Sequence, residues 1–311
     1  MGLHIKGRAV VKTFAHSISK THPSSFSSRF SARFSSTLTK LALAATVTAS
    51  LAVLSACSPS ASDSSQPTLT TSDQDAQLFS EHKVRGTDLG LTGSKTIILT
   101  FDDGPFPGVT ENVLQTLADE GVHANWFLQG NHIPGHEHLL QAIVDGGNEV
   151  GNHTWDHTGL IGLSKKSWEQ VYSEIKKTDD LIAPFVKPGQ NFYFRAPGGS
   201  WTVNHTGEMN QRYDLSKYIG PIDWDAGGAL VKKGGAIFAS ADWNCWTAKV
   251  SVPMCAQGYM KEVERKQGGI VLFHDRDIRT AQMIRILIPA WKKLGYTFIT
   301  LDQVPGIATH K

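Results

Sequence analysis

The run LTFDDGPFP, residues 99–107, sets two carboxylates, Asp102 and Asp103, side by side where an apolar stretch meets a turn. Successive side chains of a strand face opposite ways, so adjacent acids at a strand end meet different surroundings and can hold different tasks. Further along, HTWDH spaces His153 and His157 four apart, which places both imidazoles on one face if the segment is helical. That spacing suits two ligands on one metal ion, and the alternative is a pair of surface histidines beside a tryptophan. A carboxylate from another strand would complete a His-His-Asp set with open positions, the composition of a catalytic rather than a structural metal site. Arg195, Asp223 with Asp225, and His274 with Asp275 follow in the chain.

These groups need elements to hold them, and the pattern supplies a series. Strands are expected at KTIILTF, HANWFL, EVGNHT, NFYFRA, YIGPIDW, GIVLFHD and TFITL, with helices at TENVLQTLADEG, HEHLLQAIVDGG, SWEQVYSEIKKTDDLIAPF and TAQMIRILIPAWKKLG. Strands separated by helices of this length argue for βαβ units and a parallel α/β sheet. About seven strands in one domain favour a closed or partly closed barrel, whose C-terminal strand ends carry the chemistry. Each polar constellation falls at such an end. A lone acid or histidine there is commonly a turn former, but five at one end of a barrel indicate a site.

With 311 residues, 40% hydrophobic and 19% charged, the chain has a globular composition, and a net charge of +2 is too small for a nucleic-acid footprint. Seven Lys and Arg residues precede the first acid, Asp63, so the remainder is mildly acidic. The basic, Ser-rich start leads into the apolar run Leu41 to Leu54, too short to span a bilayer and typical of an export signal. The run ends Leu54-Ser55-Ala56-Cys57, similar to the lipobox of bacterial lipoproteins, in which the cysteine thiol is lipidated. An organellar transit peptide and a plain signal sequence are the alternatives. The domain division is therefore 1–57 export signal, 58–84 a Ser-, Thr- and Pro-rich disordered tether, and 85–311 one folded domain. The expected location is the bacterial cell envelope, exported and membrane-attached through a lipid on Cys57, with no obligate protein partner implied.

In order, TFDDGP, HTWDH, RAPGG, DW and LFHD resemble the five motifs of the polysaccharide deacetylases, the NodB-homology family of carbohydrate esterases. The resemblance covers about residues 95–302 and implies a distorted (β/α)7-type barrel. It also implies that Asp103, His153 and His157 bind a divalent metal, zinc by affinity order with Co2+, Ni2+ or Mn2+ also accommodated. Asp102 would be the general base, Arg195 its ionic partner, and His274 the general acid. Leu272 would line the acetyl pocket, and the amide after Pro197, that of Gly198, would stabilise the oxyanion. Gly198 departs from the family, which usually has an aromatic there, so a sugar-stacking wall is missing. The fourth motif is ambiguous between IDWDAGG and ADWNCW. The second is favoured, with Asp242 orienting His274 and Trp243 forming a pocket wall.

A Gly-rich insertion from Gly227 to Cys255 brings Cys245 and Cys255, which in an exported protein read as a disulfide. The resemblance implies hydrolysis of N-acetyl groups on an acetylated envelope polysaccharide, peptidoglycan amino sugars above all. Chitin oligosaccharides and acetylxylan are the alternatives, and a silent glycan-binding module is the alternative of a different class. An aspartyl-phosphate enzyme is disfavoured because Gly104 stands two positions after Asp102.

Overall fold

The computed structural model describes residues 83–160 and 166–310. The export signal, Cys57 and nearly all of the tether lie outside these residues. Val84 is already packed, 2% exposed and bridged to Ile222, so the domain includes the last residues assigned to the tether.

The elements run β1 (Thr96–Asp102), α1 (Thr110–Asp119), β2 (Asn125–Leu128), α2 (Glu137–Asp145), β3 (Glu149–Asn152), α3 (Trp168–Ile182), β4 (Phe192–Phe194), α4 (Val203–Asn210) and β5 (Tyr218–Ile219). A hairpin of β6 (Val231–Lys233) and β7 (Ala236–Ala239) follows, then α5 (Asp242–Thr247), α6 (Val252–Lys266), β8 (Gly269–His274), α7 (Ile278–Lys293) and β9 (Thr297–Phe298). The main sheet has seven strands ordered β5-β4-β3-β2-β1-β8, with β9 also on β1, and its pairings are all parallel. Among the described residues no ladder joins β5 to β8. The segment from Ile222 to Ala226 crosses that gap, Ile222 bridging Val84 and Ala226 bridging Val271.

The alternation of β1 shows how the barrel is filled. Ile97, Leu99 and Phe101 pack outward under the helices with Trp126, Phe273, Leu287 and Trp291, while Ile98 faces inward with Phe127, Tyr193, Ile219 and Ile270. Thr100 and Asp102 share the inward parity of Ile98, so the interior runs from apolar at mid-height to polar at the C-terminal end. The opposite end is polar too. Buried Glu149 accepts from Asn125, and the Tyr193 hydroxyl and Asn191 donate to Asp302 on the C-terminal segment.

Several expectations require correction. HTWDH is not helical: Thr154 and His157 adopt positive φ, 64° and 58°. The strand expected over YIGPIDW contracts to Tyr218–Ile219. The supposed loop insertion contains an antiparallel hairpin and α5, and Cys255 belongs to α6, the crossover helix into β8. Helices α4, α5 and α6 had no counterpart in the sequence reading.

Candidate active site

Arg195 is the hub of the C-terminal end. It leaves β4 pointing into the barrel, 0% exposed, with its guanidinium carbon 4.1 Å above the Phe127 ring. Its donors reach Asp102 Oδ1 (2.7 Å), Thr100 Oγ1 (2.8 Å) and the carbonyls of Ile222 (3.0 Å) and Asp223 (3.2 Å). A buried guanidinium is tolerable only with this degree of satisfaction. The effect is to fix the Asp102 carboxylate against the inner wall.

Asp103 shows where strand alternation alone misleads. It stands at φ 81°, a left-handed conformation that costs an aspartate little. The reversal returns its carboxylate to the cavity that Asp102 faces instead of the opposite side of the sheet. His153 Nε2 lies 3.5 Å from Asp102 Oδ2 and 3.7 Å from Asp103 Oδ1, and His157 Nε2 lies 3.2 Å from Asp103 Oδ1. The two acids therefore share one cavity, and their different roles must come from different neighbours.

The donor set fits a divalent cation. One ligand atom from each of Asp103, His153 and His157 lies within 4.8 Å of the others. Burial drives the His153 pKa down to about 3, so the ring is neutral. Its Nδ1 stands 2.8 Å from the Arg195 carbonyl, an acceptor, which places the proton on Nδ1 and leaves the lone pair on Nε2, beside the two carboxylates. Asp103 Oδ1 is buried without a hydrogen-bond donor. Such converging acceptors are what a metal site requires.

The second half of the site sits on β8, paired so that His274 is level with Asp102. Asp242, at the start of α5, holds His274 through Oδ1 to Nδ1 (2.8 Å) and Oδ2 to the backbone N–H (2.7 Å), and it also accepts from Thr280 (2.9 Å). Burial would lower the His274 pKa, but Asp242 first, then Asp103 and Asp102, outweigh it and raise it to about 9. Asp242, and not Asp223, is thus the carboxylate on the histidine. Asp223 instead pairs with Arg85 at 2.8 Å.

A cavity of about 370 Å³ joins these groups and is lined also by Gly198, Trp243 and Leu272. Gly198 adopts φ 57° in a tight turn, which disfavours the aromatic that its position would otherwise hold. Three lining residues went unassigned in the sequence: Trp224, Gly228 and Arg276, the last 3.3 Å from Asp103 Oδ2. Arg276 follows directly on His274-Asp275 and could have been found from that adjacency. The sulfurs of Cys245 on α5 and Cys255 on α6 meet, joining the two helices.

A parallel barrel that gathers a His-His-Asp set, an arginine-held carboxylate and a carboxylate-held histidine at its C-terminal end has the architecture of the carbohydrate-esterase barrels. Residues 90–213 match the family described as polysaccharide deacetylase, and the chain belongs to that NodB-homology family. It is 30% identical over 217 residues to the peptidoglycan-N-acetylglucosamine deacetylase PgdA of Listeria monocytogenes, covering 68% of this chain but only 39% of that protein's length. The solved structure of Bacillus subtilis PdaA, a family 4 carbohydrate esterase, superposes with a TM-score of 0.55 at 25% identity, over 69% of this chain and 82% of that one. A family 4 pseudoenzyme from Bacillus anthracis shares the fold, TM-score 0.52 at 23% identity, over 68% of this chain and 65% of its own.

Proposed function

We propose that the protein is a metal-dependent deacetylase that removes N-acetyl groups from peptidoglycan amino sugars. Because a pseudoenzyme has the same fold, the fold does not carry this reading. What carries it is the convergence of the His153-His157-Asp103 set, the Asp102–Arg195 pair and the His274–Asp242 pair on one cavity.

Asp103, His153 and His157 would hold a divalent cation, zinc by affinity order. When bound, such an ion polarises an acyl oxygen and lowers the pKa of water toward neutrality. Asp102, oriented by Arg195, accepts the proton of the attacking water as general base. Gly198 lines the cavity, and its amide would donate to the developing oxyanion. His274, held by Asp242 at Nδ1 and protonated near neutral pH, delivers the proton at Nε2 to the leaving amine. Leu272 and Trp243 enclose the acetyl methyl.

Lipidation of Cys57, export to the cell envelope, and a Cys245–Cys255 disulfide belong to the same reading. A tethered, membrane-attached domain meets peptidoglycan before other acetylated polymers. The test is acetate release by the purified protein from sacculi, chitin oligomers and acetylxylan, with and without chelator. Chelator-sensitive release from sacculi supports the proposal. Release from chitin or xylan alone transfers it to those substrates, and no release from any identifies a silent binding module.

A further inference from the structure

The motif IDWDAGG is not the histidine's partner, yet its tryptophan lines the cavity. We infer that Trp224 is a sugar-stacking wall, taking the place of the aromatic that Gly198 lacks. The inference rests on the proposed glycan substrate.

Three observations place the ring for this task. First, Trp224 is half-buried and reaches the same cavity as Asp102, His274 and Trp243. Second, its backbone is pinned on both sides. Asp223 is tied by Arg85 (2.8 Å) and by the Val84 carbonyl, while buried Asp225 accepts from the amides of Gly86 (2.9 Å) and Ile270 (2.8 Å). Third, glycines clasp opposite ends of the indole. A Cβ on Gly228 would stand 2.4 Å from Trp224 Nε1, and one on Gly199 would stand 3.4 Å from Cη2. Gly228 has no positive φ to require a glycine, so the close approach of the indole is its reason. The Arg195 guanidinium 5.8 Å from the ring ties this wall to the group that orients Asp102.

A rigid, edge-clasped indole beside the acid–base pairs is suited to the apolar face of a pyranose. Fixed aromatic surface in a cleft binds at little entropic cost. Trp224 is therefore a positioning residue for the sugar and takes no part in proton transfer.

The test measures binding and kinetics of the full chain with an N-acetylglucosamine pentamer and with peptide-free peptidoglycan strands. Replacing Trp224 by Ala should weaken binding and raise KM about tenfold or more, with kcat falling less than KM rises. Trp224→Leu, which retains apolar volume and so guards against misfolding, should show the same loss, and Trp224→Phe should recover most of it. Gly228→Ala should weaken binding by pressing a methyl on the indole. Unchanged binding and KM in Trp224→Leu, or a loss confined to kcat, overturns the wall while leaving the deacetylase intact. Binding that depends on Trp224 with no acetate released from either glycan supports the wall and overturns the catalytic reading.

Discussion

At the scale of single residues, neighbouring acids are separated by their contacts rather than by the face of a strand. Asp102 is held by a buried guanidinium at 2.7 Å, whereas Asp103 faces two histidines. Asp102→Asn should retain the metal and abolish turnover, at a stability cost of about 1–3 kcal/mol for weakening a charged hydrogen bond. Asp103→Asn should release the metal. Metal analysis beside acetate assays checks both, and the reverse pattern would exchange their roles. A second prediction concerns pH. His274 must carry a proton to act as an acid, and Asp242 is the first of the groups that raise its pKa to about 9. Activity should fall as pH rises through the His274 pKa, and in Asp242→Asn that fall should begin at lower pH. A pH–rate profile of the variant with an unmoved basic limb would remove Asp242 from this role.

At the scale of elements, the loop carrying both histidines is held by a helix. Trp155 and Asp156 donate their amides to Glu174 of α3, at 3.1 and 3.0 Å, and Lys166 closes the same carboxylate at 2.8 Å. Helix α3 is fixed at its start by the reciprocal Ser167–Gln170 cap. Glu174→Gln should loosen His157 and weaken metal affinity about tenfold, read by competition with a chromogenic chelator; unaltered affinity would show that the loop holds itself. Neither this tie nor the bent path of HTWDH was legible in the sequence, because positive φ at Thr154 and His157 answers to tertiary contacts and not to local propensity. What was legible is the alternation of apolar strands and amphipathic helices from β1 to β4 and from β8 to β9, where parallel strands buried on both faces leave continuous apolar runs. The stretch between β5 and β8 was opaque for the opposite reason. Its hairpin strands are short, β6 is exposed and β7 buries only alternate residues, α5 spans just Asp242–Thr247, and the periodicity of α6 is interrupted by Pro253 and Gly258. The acid on His274 could be narrowed to two Asp-Trp pairs, but only the contact at 2.8 Å separates them.

At the scale of the whole molecule, the two ends of the barrel respond differently to pH. Glu149, at the end opposite the cavity, is pushed by burial, and further by Asp302, from 4.5 up to about 7. The folded state therefore holds a proton there that the unfolded chain has released, so stability is greatest below about 4.5 for this group and declines as pH rises toward 7. Glu149→Gln should flatten that part of a melting-temperature profile between pH 4.5 and 7. A profile identical to the wild type would assign the slope to other groups. The discontinuity between β5 and β8 has its own consequence. The segment Ile222 to Ala226 meets β8 there through the single bridge Ala226–Val271 and meets the domain's first residues through Ile222–Val84, and β6, β7 and α5 are spliced in directly after it. In evolutionary terms this is a seam: chain length can be gained or lost at it without re-registering any ladder. Yet what is spliced there begins beside Trp224 and Gly228 and includes α5, which opens with Asp242. A change of length at the seam would therefore bear on which polymer is gripped and how the leaving group is served, and would leave the ladders that carry Asp103 and His153 in register.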